Sequence, residues 1–307
     1  MFWLFDGLLQ LQPYMFVKGS NGFLGQIAQN TMGPPSTLTD FLRVVIAFMV
    51  HYQIASTIGI AAVQIGIGLG LLWPRTVRLS LAVSAVWAIG VWLVGEGVGQ
   101  LIFPQASMLS GAPGAAIVYA ILSIVLWPSS KLWLNADTSD PLQTWWQSGS
   151  GARVLWAVLW CGTAMLELEA ANWAPGAISA QLRAVGSSQP GWLAAFDKTL
   201  AHIAAGRGTG IALGLLIVEF LVGWGILRPL TRDFALALGI FVSLLFWATG
   251  QGFGYLFTGT GTDPNLGPAM VLFAIAIWKW PELPLDQGGA GGSFPVQASD
   301  ELKAERL

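Results

Sequence analysis

The stretch "LSLAVSAVWAIGVWLVGEGVGQLI" (79–102) runs for 24 residues with a single charged side chain, Glu96. A helix needs about 20 mostly apolar residues to cross a bilayer, so such a run leaves the chain few choices. Seven further stretches resemble it: 2–16, 53–73, 112–127, 154–173, 209–227, 234–257 and 267–280. Only 10% of the 307 residues are charged and the mean hydropathy is +0.64. A soluble domain carries about a quarter charged residues, so too few charges are present to cover a soluble surface. The sequence predicts an all-α integral membrane protein with eight transmembrane helices. The first stretch is short, which predicts that the natural chain begins a few residues upstream. No basic leader or cleavage site is visible in "MFWLFDGLLQLQPYMF".

The chain also repeats itself. "VQIGIGLGLLWP" (63–74) lies over "VEFLVGWGILRP" (218–229) without a gap, at an offset of 155 residues. The same offset brings Trp92 onto Trp247, Pro113 onto Pro268, and Gly95, Gly97 and Gly99 onto Gly250, Gly252 and Gly254. After a slip of two residues, "LLQLQPYMF" (8–16) lies over "MLELEAANW" (165–173). The pattern predicts two tandem four-helix repeats, 1–128 and 153–281, joined by a linker over 129–152 and followed by a disordered cytoplasmic tail over 282–307. Four is even, so both copies enter the membrane from the same side, and their pseudo-twofold axis runs along the membrane normal.

Lys and Arg in short loops set the orientation. Arg75, Arg78, Lys131, Arg153, Arg228, Arg232 and Lys279 cluster on one side, against Lys18, Arg43, Arg183, Lys198 and Arg207 on the other. Both termini are therefore expected in the cytoplasm, with 18–52 and 174–208 outside. In the second of these, Trp192, Phe196, Leu200 and Ile203 fall at helical spacing with Asp197 and Lys198 on another face, as suits an interfacial helix. The counterpart "FLRVVIAFMVHY" (41–52) is more apolar and suits an extension of the second span. The turn-rich segments 103–114 and 258–268 read as ordinary connections rather than lids. Most Trp residues fit aromatic belts; a quinone or pigment stack on Trp87, Trp92 and Trp247 ranks second.

Polar residues inside apolar stretches are the functional candidates. Gln10 and Gln12 align with Glu167 and Glu169, Gln64 with Glu219, and Glu96 with Gln251. These groups either bond the two halves together through Glu–Gln pairs or line an outward-opening cavity that exchanges protons with a ligand. The cavity reading places Glu96, Gln251, Glu167, Gln10, His51 and His202 in one outer pocket, with Glu219 and Gln64 as a buried acid and its relay. Glu167 and Glu169, two residues apart, cannot share a helix face. Asp6 aligns with Thr163 and is expected near the headgroups. Gly95, Gly97, Gly99, Gly250, Gly252 and Gly254 read either as a helix-packing notch or as a wall facing a ligand. No strand precedes them, so they are not a dinucleotide fingerprint. The two histidines lie about one helical turn out of equivalence, which disfavours a haem held between them. Lone Cys161 forms no internal disulfide, and no Cys/His cluster has metal-site spacing. A net charge of −2 without a basic run gives no reason to expect nucleic acid.

Four segments resemble the DoxX/DoxD-like group of bacterial membrane proteins, and more closely a duplicated subgroup of it: "DGLLQLQPYMF" (6–16), "VWLVGEGVGQL" (91–101), "SMLSGAPGAAIVYA" (107–120) and "GQGFGYLFTGTGTDPNLGP" (250–268). The resemblance implies a helical bundle in the bacterial inner membrane. It also implies a link to redox chemistry, since some members are associated with sulfur-compound oxidation that passes electrons to quinone, or with thiol-oxidant defence. No catalytic pattern carries over, and Cys161 alone offers no dithiol chemistry. The expectation is a membrane subunit of a redox system whose pocket takes quinone or a small oxidisable solute. It holds no tightly bound cofactor of its own, and its partners are the bilayer and redox subunits. The alternatives are a small-solute or proton-coupled transporter, or a non-catalytic scaffold.

Overall fold

The computed structural model describes residues 2–30, 37–128 and 149–278. All regular structure among them is helical: α1 (Phe2–Leu9), α2 (Phe23–Asn30), α3 (Thr37–His51), α4 (Gln53–Gly70), α5 (Val77–Val94), α6 (Ala115–Val125), α7 (Ser150–Leu166), α8 (Ala177–Ser187), α9 (Gly191–Ala204), α10 (Gly208–Gly225), α11 (Arg232–Ala248) and α12 (Leu266–Trp278). Each of α4, α5 and α10 is 18 residues long and apolar enough to cross a membrane. A fourth span results if α11 is joined to the short 3-10 segment Gly252–Thr258 across a 44° bend. The shorter α6, α7 and α12 are also apolar. Val86, Leu79, Phe234 and Phe241 stand outward at 62–76% exposure, a surface suited to lipid rather than water.

The predicted stretches all fall on helices, but several of those helices are shorter than a full crossing. α1 ends at Leu9; three residues on, Pro13 holds Gln12 in the extended region and opens a 3-10 turn over Pro13–Phe16. Only after Pro113 and Gly114 does α6 begin. At Tyr52 the helix breaks, so "FLRVVIAFMVHY" forms the end of a separate α3 rather than an extension of α4. The predicted linker lies largely outside the described residues, as does the tail; α7 already starts at Ser150.

Within each half the helices pair in the same order: α1 on α4 and α5 on α6, then α7 on α10 and α11 on α12. Close approach needs small residues. A Cβ on Gly7 would sit 2.6 Å from Ile65 of α4, and one on Gly223 would sit 2.6 Å from Cys161 of α7. The halves meet where α6 packs on α12, and both helices are buried along most of their length. To one side, α8 packs on α9. Trp192, Phe196 and Ile203 of α9 face outward, as an interfacial helix would present them. Asp197, expected on a polar face, is turned inward at 1% exposure against Gly186, and burial pushes its carboxyl up.

The glycine patches have a specific conformation. Gly97, Val98, Gly99 and Gln100 all take positive φ, between 56° and 62°, and Gly252, Phe253, Gly254 and Tyr255 do the same between 53° and 64°. Each patch is one turn of left-handed coil following α5 or α11. Such a turn costs L residues roughly 1–2 kcal/mol each, and glycine at alternate positions removes half of that cost. The packing-notch reading fits Gly99, Gly250, Gly252 and Gly254, which are pressed against Pro113, Leu109, Gln189 and Pro264 respectively. It does not fit Gly97, where an added Cβ would meet nothing within 4 Å, nor Gly95, which would meet only Val91 of its own helix.

Candidate functional site

In α1, residues three and four apart share a face, so Trp3, Asp6 and Gln10 point the same way. Gln64 of α4, Trp87 of α5 and Tyr119 of α6 converge on that face, with Glu96 just beyond the end of α5. Together they bound a cavity of about 290 Å³. Phe23 and Ile27 of α2 and Val45 and Met49 of α3 close it with apolar surface.

Six polar atoms on this wall are buried without a protein partner: Asp6 Oδ1, Gln10 Oε1, Gln64 Oε1, Trp87 Nε1, Glu96 Oε2 and Tyr119 OH. Asp6, Gln10, Gln64 and Tyr119 are only 1%, 3%, 4% and 6% exposed. The Tyr119 hydroxyl lies beside the Asp6 carboxyl without closing a well-formed hydrogen bond. A buried group left unpaired costs about 1–3 kcal/mol, so six on one surface mark a place built to meet something polar. The other oxygen of Glu96 is structural. Its Oε1 accepts the Ala116 N–H at 3.0 Å, at the N-terminus of α6. That terminus carries the positive end of the helix dipole and favours a carboxylate.

A polar thread leaves the cavity wall at Trp3. Trp3 Nε1 donates to Ser84 Oγ at 2.6 Å, Ser84 shares a 2.7 Å bond with Ser123, and Ser123 Oγ donates to the Tyr119 carbonyl at 2.8 Å. This polar thread ends on backbone and does not lead onward.

The other half supplies part of the wall. Thr262 and Asp263, from the segment between the second glycine patch and α12, reach across to line the cavity. The Gln12 amide anchors that segment by donating to the Gly261 carbonyl at 3.0 Å. Asp263 accepts from the Thr262 hydroxyl at 2.8 Å and the Asn265 N–H at 2.6 Å, yet burial pushes its carboxyl up. The exchange is reciprocal, because Met108 of the 103–114 segment is buried in the second half. Its carbonyl accepts from Gln251 Nε2 at 3.1 Å and its sulfur from Thr163 Oγ1 at 3.7 Å. The 155-residue offset places Met108 on Asp263. These segments, expected to be simple connections, are crossed straps.

The residues read from the sequence as one outer pocket are dispersed. Gln10, Gln64 and Glu96 reach the cavity. Gln251 does not: its Oε1 accepts the Gly267 N–H at 2.9 Å at the start of α12, and its amide is taken by Met108. Glu167 and Glu219 are fully buried in the second half, close enough to feel each other's charge, with none of their four oxygens partnered. Glu169 is exposed, as its two-residue spacing from Glu167 requires. His51, edge-on to Tyr52, and His202, in the last turn of α9, are both exposed, and neither lines the cavity. The sequence reading missed Asp6, Tyr119 and Asp263. Asp6 carried a signal, a charge in an apolar stretch one helical turn from Gln10; Tyr119 and Asp263 are brought in only by tertiary packing.

Among the described residues no group of three or more His, Cys, Asp or Glu is arranged to hold a metal ion. Comparison of the chain with protein-family models, curated proteins and solved structures finds no match.

Proposed function

We propose that this chain is a membrane subunit of a redox system and that its cavity takes a quinone or a small oxidisable solute. The observation that carries the reading is the set of six unpartnered polar atoms on the wall of one otherwise apolar and aromatic cavity. Ligand pockets combine apolar walls with a few convergent polar groups in this way. Carboxyl and phenol groups at Asp6, Glu96 and Tyr119 suit a ligand that exchanges protons as it is oxidised. The redox assignment itself rests on the resemblance to DoxX/DoxD-like proteins. A transporter needs polar groups that continue past the site, and the Ser84–Ser123 thread ends on a carbonyl instead.

The test is mass spectrometry of an organic extract from protein purified in nanodiscs, beside a Gly90→Leu variant. Gly90 lines the cavity and has open space around its Cα, so leucine fills the cavity without a backbone clash. A stoichiometric small molecule that is absent from the variant is the expected result. Bulk phospholipid alone in both preparations sinks the reading.

The architecture that supports this reading has eight membrane-crossing helices in two duplicated four-helix repeats, about a pseudo-twofold axis along the membrane normal. Both termini lie in the cytoplasm, in a bacterial inner membrane. The recurring helix pairs, the two left-handed turns and the loop arginines all favour it. Single cysteines in a Cys161→Ser background test the orientation through exposed positions Ser188 and Leu230. An impermeant maleimide is expected to label Ser188→Cys in intact cells, and Leu230→Cys only after permeabilisation. The opposite pattern inverts the protein.

A further inference from the structure

We propose that the occupant of the cavity is an organic cation, an ammonium carried on an aromatic or alkyl body. This inference rests on the cavity being a ligand site and narrows the small oxidisable solute to one chemical class. Three carboxyl groups, Asp6, Glu96 and Asp263, line the cavity and are close enough to feel one another's charge. Among the described residues no Lys, Arg or His lines it with them. Four of the six unpartnered atoms are oxygens of carboxyl or amide groups, at Asp6, Gln10, Gln64 and Glu96, and each of these groups can turn an oxygen toward a cation.

Aromatic faces complete the match. Trp3, Phe23, Trp87 and Tyr119 all line the cavity, and Trp3 meets Tyr119 edge-on with ring centroids 4.9 Å apart. Aromatic rings attract a cation through their negative faces, and cages of such rings recognise quaternary ammonium groups. A neutral, acceptor-rich ligand such as an oxidised quinone would instead need donors. Of the six unpartnered atoms, Trp87 Nε1 and the Tyr119 hydroxyl are donors whichever way the Gln10 and Gln64 amides are turned. Asp263 reaches this cage only through the strap from the second half, so the cation site is assembled from both halves.

Among the described residues the groups that titrate around the occupant are Asp6 of α1, on which the amino-terminal charge also acts, Glu96 beyond α5, Tyr119 of α6 and Asp263 of the strap; α2, α3 and α4 contribute only uncharged side chains to the lining. Binding of a cation to these carboxylates weakens as pH falls and they take up protons.

The experiment is equilibrium dialysis of the full chain in nanodiscs, with empty nanodiscs subtracted. Three probes are compared: phenyltrimethylammonium, its uncharged carbon isostere tert-butylbenzene, and a short-chain ubiquinone. The expected result is saturable binding of the ammonium at one site, at least tenfold tighter than the isostere and weaker at lower pH. Gly90→Leu abolishes it, and Asp263→Asn and Glu96→Gln each weaken it about tenfold. Equal binding of ammonium and isostere, or tighter binding of the quinone, overturns the cation while leaving the pocket intact. If no probe binds above empty nanodiscs, both the cation and the pocket reading fall.

Discussion

Replacing Gly99 with alanine is expected to destroy the fold, while the same substitution at Gly97 costs little. Both residues sit in the first left-handed turn, at φ 60° and 56°, so both substitutions carry the conformational penalty of roughly 1–2 kcal/mol that an L residue incurs there. The surroundings separate them. Around Gly97 an added Cβ meets nothing within 4 Å, whereas at Gly99 it would run into the Pro113 carbonyl and stand 2.6 Å from Trp92 Nε1. Those atoms are themselves joined, Trp92 Nε1 donating to the Pro113 carbonyl at 2.7 Å. A methyl group there drives apart the start of α6 and the end of α5, and overpacking of this kind adds roughly 1–3 kcal/mol or more. Thermal melting in detergent, followed by size-exclusion chromatography, is expected to show Gly97→Ala close to the parent and Gly99→Ala aggregated or melting far below it. Equal melting of the two would mean that the turn is not pinned against Pro113.

That contrast shows how far the sequence could be read. Apolar runs of about 20 residues announce membrane helices through composition alone, and α4, α5 and α10 appear where those runs lie. Polar residues within such runs also announce themselves, because burying them is expensive. Gln10, Gln64 and Glu96 were visible for that reason. Direction across the molecule is another matter. A connecting segment rich in Gly, Pro and Thr looks the same whether it returns to its own half or crosses to the other, so Asp263 and Met108 could not be placed. His51 and His202 looked functional by residue type, yet both are exposed, on α3 and α9. The Glu/Gln exchange was legible as divergence between copies, but its cause is local: each side chain places one oxygen on the first turn of the helix that follows it. Glutamate and glutamine both present such an oxygen. What differs is the second atom of the group and what it faces.

That second atom makes the two exchanges unequal. Glu96→Gln is expected to leave the fold intact, with a change in stability within about 1 kcal/mol, since the amide oxygen still accepts the Ala116 N–H and only the unpartnered Oε2 is altered. Glu96→Ala removes the acceptor and loses a capping interaction worth roughly 0.5–2 kcal/mol. Gln251→Glu is the damaging change. The amide of Gln251 donates to the Met108 carbonyl while its oxygen accepts from Gly267. A carboxylate keeps the second bond but sets a negative oxygen against the Met108 carbonyl, in a position where Gln251 is 2% exposed. Leaving that acceptor without its donor costs about 1–3 kcal/mol, and more when the replacement is charged. A protonated acid offers an O–H in place of the N–H, so acidification should restore much of the loss. Melting temperatures of the three variants across a pH series distinguish these outcomes. Glu96→Gln should follow the parent, and Gln251→Glu should fall away as pH rises. If the two melt alike at every pH, the crossed strap does not depend on the Gln251–Met108 bond, and the α6–α12 contact and the remaining cross-half bonds, Gln12 to Gly261 and Thr163 to Met108, hold it in place.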